Sequence, residues 1–351
     1  MPRPPALGAL MLAFSALTSA ADPNAPAAPP ELGRVAWLRD FDAALKAAAT
    51  EKKPIFLLFQ EIPGCATCKN YGSEVLSHPL LVEAIESEFI PVAIRNNTTG
   101  DSEERILKSF HEPAWNNPVA RLITPDRKDL VPRLDGVYSV DGVALHMIDA
   151  LSAVHRPVPE YLRLVAAEAA ARRRGLERAT FGMHCFWEGE VRLGELDGVF
   201  QTRPGFVGGA EVVEVEFDQR TIGYEALVDK ARSLECATRV FARTESQLSS
   251  LRSMARAGKL PESTITRSDE PARPDKEPKY YLSKSPLRTV PITELQACRV
   301  NAAVARNRDA MALLSPRQRA LAEQHNRAGA KAENRIGVDL RTCELKAPPS
   351  N

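Results

Sequence analysis

The sequence predicts an α/β protein: two units in series, followed by a helical C-terminal region. Three observations carry that prediction. The chain has 351 residues, 44% of them hydrophobic, which suits about two domains. Through residues 39–174, helical apolar spacing alternates with short continuous apolar runs, the pattern of a sheet with parallel strands covered by helices. Residues 176–260 again mix strand and helix signals, around one alternating strand at Glu211–Asp218.

The N-terminal stretch comes first. Arg3, the uncharged apolar run 6–17 and the small residues Thr18–Ala21 form the pattern of a secretory signal peptide over 1–21. That run is too short to span a bilayer, and no later apolar stretch reaches the ~20 residues a span needs. With Ala- and Arg-rich usage, this predicts a mature chain that is periplasmic or secreted, where disulfides persist.

In the first unit, 31–174, Phe41, Ala44, Leu45 and Ala48 mark a helix over 39–51, stopped by Pro54. Ile55–Phe59 is apolar throughout, as expected of a strand buried on both faces. Further strands are expected at 89–94, 119–124 and 129–134, with helices at 101–110 and 160–174. The second unit should hold a helix running to Leu196, a Gly-rich loop around Pro204–Gly209 and the strand Glu211–Asp218. A helix on Tyr224, Leu227, Val228 and Ala231 and a strand at 238–242 complete it. Residues 262–278, with three prolines and no aromatic, read as a linker. Residues 279–346 carry 13 Lys/Arg and 6 Asp/Glu, a net +7, with Tyr280 and Tyr281 as their only aromatics. Leu295, Cys298, Ala302 and Ala305 share one helical face, and Ser315-Pro316 suits a helix start. This region reads as a helical appendage packed on the other units.

Charge and cysteine content narrow the function. Lys+Arg is 46 and Asp+Glu is 45, which excludes a bulk nucleic-acid or membrane-surface binder. Six cysteines are too few for a disulfide scaffold but enough for redox or metal chemistry. Cys65-Ala66-Thr67-Cys68 follows a buried strand and opens a helix, where free N–H groups favour a thiolate at Cys65. A structural disulfide or half of a zinc site are the competing readings. Zinc usually needs a second ligand pair, and none is visible, so neither metal nor cofactor is expected.

The strand Pro54–Phe59, the CxxC and the segment Asn117–Asp126 together resemble the thioredoxin-like fold over about 35–174. That resemblance implies a cis-proline at Pro118, facing the cysteines. The sequence departs from thioredoxin itself in reading I-P-G-C-A-T-C, which leaves potential and partner open.

The second motif is Gly182-Met183-His184-Cys185-Phe186-Trp187. Its cysteine again stands at a helix start, beside two aromatics that can wall in a small alkyl group. With A-T-F-G-M-x-C-F-W (179–187), Leu196-Asp197-Gly198-Val199, Pro204–Glu211, Phe217-Asp218 and Tyr224–Leu227, the stretch 176–260 is similar to type A peptide methionine sulfoxide reductases, an α+β fold. The similarity implies Cys185 as nucleophile, Phe186 and Trp187 as the pocket for the substrate methyl, and Glu211 as proton donor. Independently, Glu211 shares strand parity with Val213, Val215 and Phe217, placing it on the inward face, although a strand-end glutamate can also reach solvent. The unit is a shortened relative. Glu211 follows Gly209 after one residue, the insertion carrying a tyrosine is missing, and His184 replaces a glycine.

These readings predict an oxidoreductase of secreted type that reduces oxidised methionine in peptides or proteins. Cys185 becomes a sulfenic acid, Cys236 resolves it, and Cys65 and Cys68, or an external thiol, reduce the disulfide. Cys236 can equally be a packed apolar filler, and Cys298 and Cys343 are expected to be dispensable. Two other readings stay open: a thiol–disulfide oxidoreductase acting on protein disulfides with an inactive second unit, and a non-enzymatic scaffold docking through its basic tail.

Overall fold

The computed structural model describes residues 29–328 together with Arg335 and Leu340. The expected signal peptide, 1–21, and Cys343 lie outside the described residues. Asp40 opens the first helix by accepting the Ala43 N–H, and α1 (Phe41–Glu51) turns Phe41, Ala44 and Ala48 inward. The continuous apolar run becomes β1 (Ile55–Gln60), buried at every position. Its two faces serve two cores. Phe56 and Leu58 join one, while Ile55, Leu57 and Phe59 join the other. This is why the sequence does not alternate there.

After β1 come α2 (Ala66–Asn70), a π-helical turn Tyr71–Val75, α3 (Pro79–Glu88), β2 (Ile90–Arg95) and α4 (Ser102–Ser109). The unit closes with β3 (Val119–Ile123), β4 (Leu134–Asp135), α5 (Val140–Ala153) and α6 (Glu160–Arg174). The sheet order is β2-β1-β3-β4. β1 and β2 are parallel, but β3 runs antiparallel to β1, which corrects the expectation of parallel strands. The loop after α4 explains it. The Trp115 N–H bonds the Asn96 carbonyl (3.0 Å), so the chain has returned to the end that β2 left and must enter β3 in the opposite direction.

The second sheet comprises β5 (Glu177–Gly182), β6 (Val199–Val207), β7 (Ala210–Phe217), β8 (Arg239–Ala242), β9 (Ile265–Arg267) and β10 (Arg273–Pro274), in the order β10-β6-β7-β5-β8-β9. Helices α7 (Phe186–Gly194), α8 (Tyr224–Ser233) and α9 (Glu245–Arg256) belong to the same unit. Two expectations change. Pro204 and Gly205 lie inside β6, and the turn is Gly208-Gly209 alone, with φ of 55° and 80°. Both positions of such a two-residue hairpin favour glycine. Residues 262–278 are not a free linker, because β9 pairs with β8 and β10 with β6.

The C-terminal region holds α10 (Tyr280–Ser283), α11 (Glu294–Ala305) and α12 (Pro316–Ala328). A core of aliphatic residues, including Leu282, Val290, Ile292, Val300 and Leu314, substitutes for missing aromatics. Thr293 and Gln296 form a capping box on α11, and Ser315 accepts the Gln318 N–H at the start of α12. Leu295 packs with Leu164, Ala171 and Phe200, tying α11 to α6 and β6. Arg299 donates to the carbonyls of Gly194 and Leu196 at the end of α7, where helix polarity favours a cation. No helix among the described residues is long and apolar enough to cross a membrane.

Candidate active site

Two sulfur centres emerge. At the first, Cys65 stands as the residue before α2, exposed, with Cys68 fully buried behind it and their sulfurs 3.5 Å apart. Gly64 permits the approach. A Cβ there would lie 2.5 Å from the Glu61 carbonyl oxygen and 2.7 Å from Cys68 Cβ. Gln60 Nε2 donates to the Cys68 carbonyl (3.2 Å), holding the first helical turn against β1. The backbone N–H of Cys68, aided by that of Thr67, holds the Cys65 pKa below its ordinary value, although no formal side-chain cap bond closes this helix start. Burial, with the neighbouring Cys65, pushes the Cys68 thiol up to about 12.

This asymmetry has a measurable consequence. In the reduced protein, iodoacetamide should modify Cys65 well before Cys68, with a pH midpoint for Cys65 below that of a free thiol. Peptide mapping across pH 5–10 checks it, and equal labelling of both sulfurs would contradict the asymmetry.

Pro118 precedes β3 as expected, but its bond to Asn117 is not cis. The cis bond among the described residues is Ile62–Pro63, on the other side of the cysteines. Trp115, three residues before Pro118, has a left-handed φ of 58°, and the Asn117–Pro118 bond has the trans form that most X–Pro bonds favour. Asn117 itself reaches the site, its Oδ1 lying 3.7 Å from Cys65 Sγ.

At the second centre, Cys185 is exposed and immediately precedes α7. The Glu211 carboxylate, from the start of β7, accepts the Phe186 N–H at 2.9 Å. Glu211 thus stands beside the residue that follows the sulfur. Its parity holds, since Val213, Val215 and Phe217 line the core beneath α7. The Phe186 ring meets Trp187 at 5.6 Å and Phe206 at 5.2 Å.

The C-terminal region completes this aromatic wall. Tyr280 stacks on Trp187 with ring centroids 4.1 Å apart and an interplanar angle of 17°. Tyr281 lies edge-on to Tyr280, and its phenol is pushed up by burial first and then by the charges of Glu188 and Cys185. Asp275 accepts the Trp187 indole N–H at 3.2 Å. Beneath the wall, Lys279 is buried against Glu190 of α7. Its Nζ donates to Glu190 Oε1 (2.9 Å) and Thr202 Oγ1 (3.1 Å), and its backbone N–H to Glu190 Oε2 (2.7 Å). Burial opposes the Lys279 charge, but Glu190 outweighs it, so the ammonium form is favoured.

Sequence reasoning missed Phe206, Asp275, Lys279, Glu190 and the two tyrosines as parts of this site. Phe206 had a signal, because a two-glycine turn at 208–209 sets it opposite Glu211. Asp275, Lys279 and the two tyrosines arrive from distant sequence and left none, and Glu190, within α7, gives no local sign of its distant partner.

Cys236 follows α8, is buried with Phe186 in the same core, and is pushed up to about 11 by burial. Cys298 is buried against β6, its sulfur near Thr202 Oγ1 (3.7 Å) and the Phe200 carbonyl (3.8 Å). All five described cysteines are free, and Cys65 and Cys68 are the only pair of sulfurs in contact among them. A cleft lined by Glu74, His78, Gln201, Arg203, Glu216 and Glu294 marks where the units meet. Cys65 lies at the other end of the helical segment from Glu74, and Cys185 lies near the Phe206–Glu211 end of the β6–β7 hairpin.

Comparison with known proteins finds two kinds of relative. Residues 36–125 match the thioredoxin-like family. The chain carries a thioredoxin-like domain. The peptide methionine sulfoxide reductase MsrA of Methanoculleus marisnigri is 40% identical over 76 residues, 17% of this chain and 46% of that protein. The MsrA of Methanothermobacter thermautotrophicus is 41% identical over 70 residues, 15% and 41% of the two chains. That of Rhodospirillum centenum is 29% identical over 136 residues, 34% and 51%. The chain therefore spans about half the length of the curated relatives it matches. A solved DsbH oxidoreductase aligns with 38% of this chain and 93% of its own at 16% identity and a TM-score of 0.29. The protein combines thioredoxin-like and MsrA-like sequence, with thiol redox chemistry as the shared theme.

Proposed function

We propose that this chain reduces methionine sulfoxide in peptides or proteins at Cys185. One observation carries the reading: an exposed cysteine at the start of α7, with the Glu211 carboxylate on the next N–H and aromatic rings alongside. Cys185 attacks the sulfoxide sulfur while Glu211 delivers a proton to its oxygen. The thioether leaves, and the oxygen stays on Cys185 as a sulfenic acid. A second thiol then condenses with the sulfenic acid, forming a disulfide and releasing water. Cys236 is our assignment for that thiol, because it shares the core of Phe186. A dithiol, either Cys65 with Cys68 or an external one, restores Cys185 by exchange. We place this chemistry outside the cytosol, in keeping with the expected signal peptide.

The test is a single turnover. One equivalent of a methionine sulfoxide peptide, without reductant, should yield one methionine and a Cys185–Cys236 disulfide on peptide mapping. Because the Cys236 thiol is pushed up to about 11, its thiolate fraction rises tenfold per pH unit below that value, and disulfide formation should quicken accordingly. A lasting sulfenic acid, or a bridge to another cysteine, removes Cys236 from the scheme. An intact sulfoxide and an unmodified Cys185 refute the reductase reading.

One observation favours a second reading. Trp115 is 65% exposed, in the loop that also brings Asn117 to Cys65. A surface aromatic in a loop that reaches an exposed thiol suits docking of a protein disulfide. Reduction of insulin by the chain, lost in Cys65→Ser and retained in Cys185→Ser, would establish that activity.

A further inference from the structure

Glu61 lies just after β1, four residues before Cys65. Among the described residues no lysine, arginine or histidine pairs with its carboxylate. Its oxygen, Cys65 Sγ and Cys68 Sγ all lie within 4.8 Å of one another. Three groups that are anionic when deprotonated therefore converge with no cation beside them. Cys65 is exposed, so a fourth direction opens to solvent, with the Asn117 amide oxygen 3.7 Å from its sulfur.

We propose that the reduced Cys65–Cys68 pair, together with Glu61, forms a zinc site with three protein ligands and one open position. Geometry selects the metal. Tetrahedral zinc, with sulfur at about 2.3 Å, sets two thiolates about 3.8 Å apart. The sulfurs stand at 3.5 Å, so small rotations suffice. A linear two-sulfur centre would set the sulfurs on opposite sides of the metal, farther apart than tetrahedral zinc does, which argues against two-coordinate copper(I). A carboxylate as third ligand is also harder than copper(I) prefers. No second ligand pair is needed for such a site, because the third ligand sits upstream of the cysteines, in the order E-x-x-x-C-x-x-C.

Binding displaces the thiol protons, and affinity rises with pH. Both sulfurs are consumed by a disulfide, so zinc and oxidation exclude each other. The same dithiol then has two end states, one metal-bound and protected, the other oxidised. This inference goes beyond the function proposed above and does not depend on activity at Cys185.

The experiment titrates the reduced full chain with Zn2+ against a chromophoric zinc chelator. About one equivalent should bind. None should bind after Cys65 and Cys68 are oxidised to their disulfide, and none in Cys65→Ser. Glu61→Gln should weaken binding at least tenfold, while Cys65 and Cys68 still titrate as a pair across glutathione ratios as in the wild type. Cys185→Ser should bind as the wild type does. No stoichiometric binding by the reduced chain overturns the site, as does binding that survives Cys65→Ser or is unchanged in Glu61→Gln. The glutathione titration reports on dithiol exchange separately, so failure of the metal site is distinguishable from failure of the redox pair. All three changed residues lie outside the buried core, so none of the variants puts folding at risk.

Discussion

With serine at position 185, turnover of a methionine sulfoxide peptide in dithiothreitol is expected to fall to the uncatalysed background. A serine hydroxyl is a far weaker nucleophile than a thiolate, and it cannot carry the oxygen as a sulfenic acid. The companion variant is Glu211→Gln. Glutamine keeps an oxygen to accept the Phe186 N–H, so the start of α7 should stand as before. What it loses is the transferable proton. General acid catalysis contributes typically about 10²–10⁴-fold, and kcat should drop by that factor with KM little changed. Glu211→Ala removes the cap as well, and should raise KM and lower stability. Equal kcat in wild type and Glu211→Gln would remove Glu211 from the chemical step. Residual turnover in Cys185→Ser would move the nucleophile elsewhere.

Lys279→Met should be strongly destabilising. Glu190 is fully buried, and Lys279 is its ion-pair partner. Removing the ammonium leaves a carboxylate in the interior without its counter-ion, which typically costs about 3–5 kcal/mol. Urea unfolding followed by tryptophan fluorescence reads the loss, and the Trp187–Tyr280 stack provides the local probe. The double variant Lys279→Met/Glu190→Leu should recover much of that stability, since an apolar pair of similar size fills the same space without charge. A single variant as stable as wild type would mean that water or another group reaches Glu190. Because Tyr280 follows Lys279 directly, Cys185 reactivity should change in the single variant too.

How much of this was legible beforehand varies by element. Ile55–Phe59 could be read because continuous burial leaves a continuous apolar string. The positions of Cys65 and Cys185 at helix starts could be read for a similar reason: strand, cysteine and helix are contiguous, and local signals suffice. Glu211 was placed by parity, a property of one strand. The direction of β3 was not legible, because it depends on a hydrogen bond between Trp115 and Asn96, across a loop and a helix. The cis bond that resemblance implies at Pro118 was not legible either, because the isomer of one X–Pro bond leaves no periodic signal, and the structure has the cis bond at Ile62–Pro63. Residues 262–278 looked like a linker because β9 and β10 have only three and two residues, too few for periodicity to show. Polar, proline-containing segments can still edge a sheet when a neighbouring strand offers free backbone groups.

The pairing of Lys279 with Glu190 also sets a schedule. The two residues are 89 positions apart. At about 5–20 residues per second, a ribosome needs on the order of ten seconds to travel from one to the other. During that interval the nascent chain presents Cys185 without Tyr280 and Tyr281, and Glu190 remains hydrated. Cys185 is exposed in the finished fold as well, so what the late arrival of Tyr280 and Tyr281 changes is the company of the sulfur, not its access to solvent.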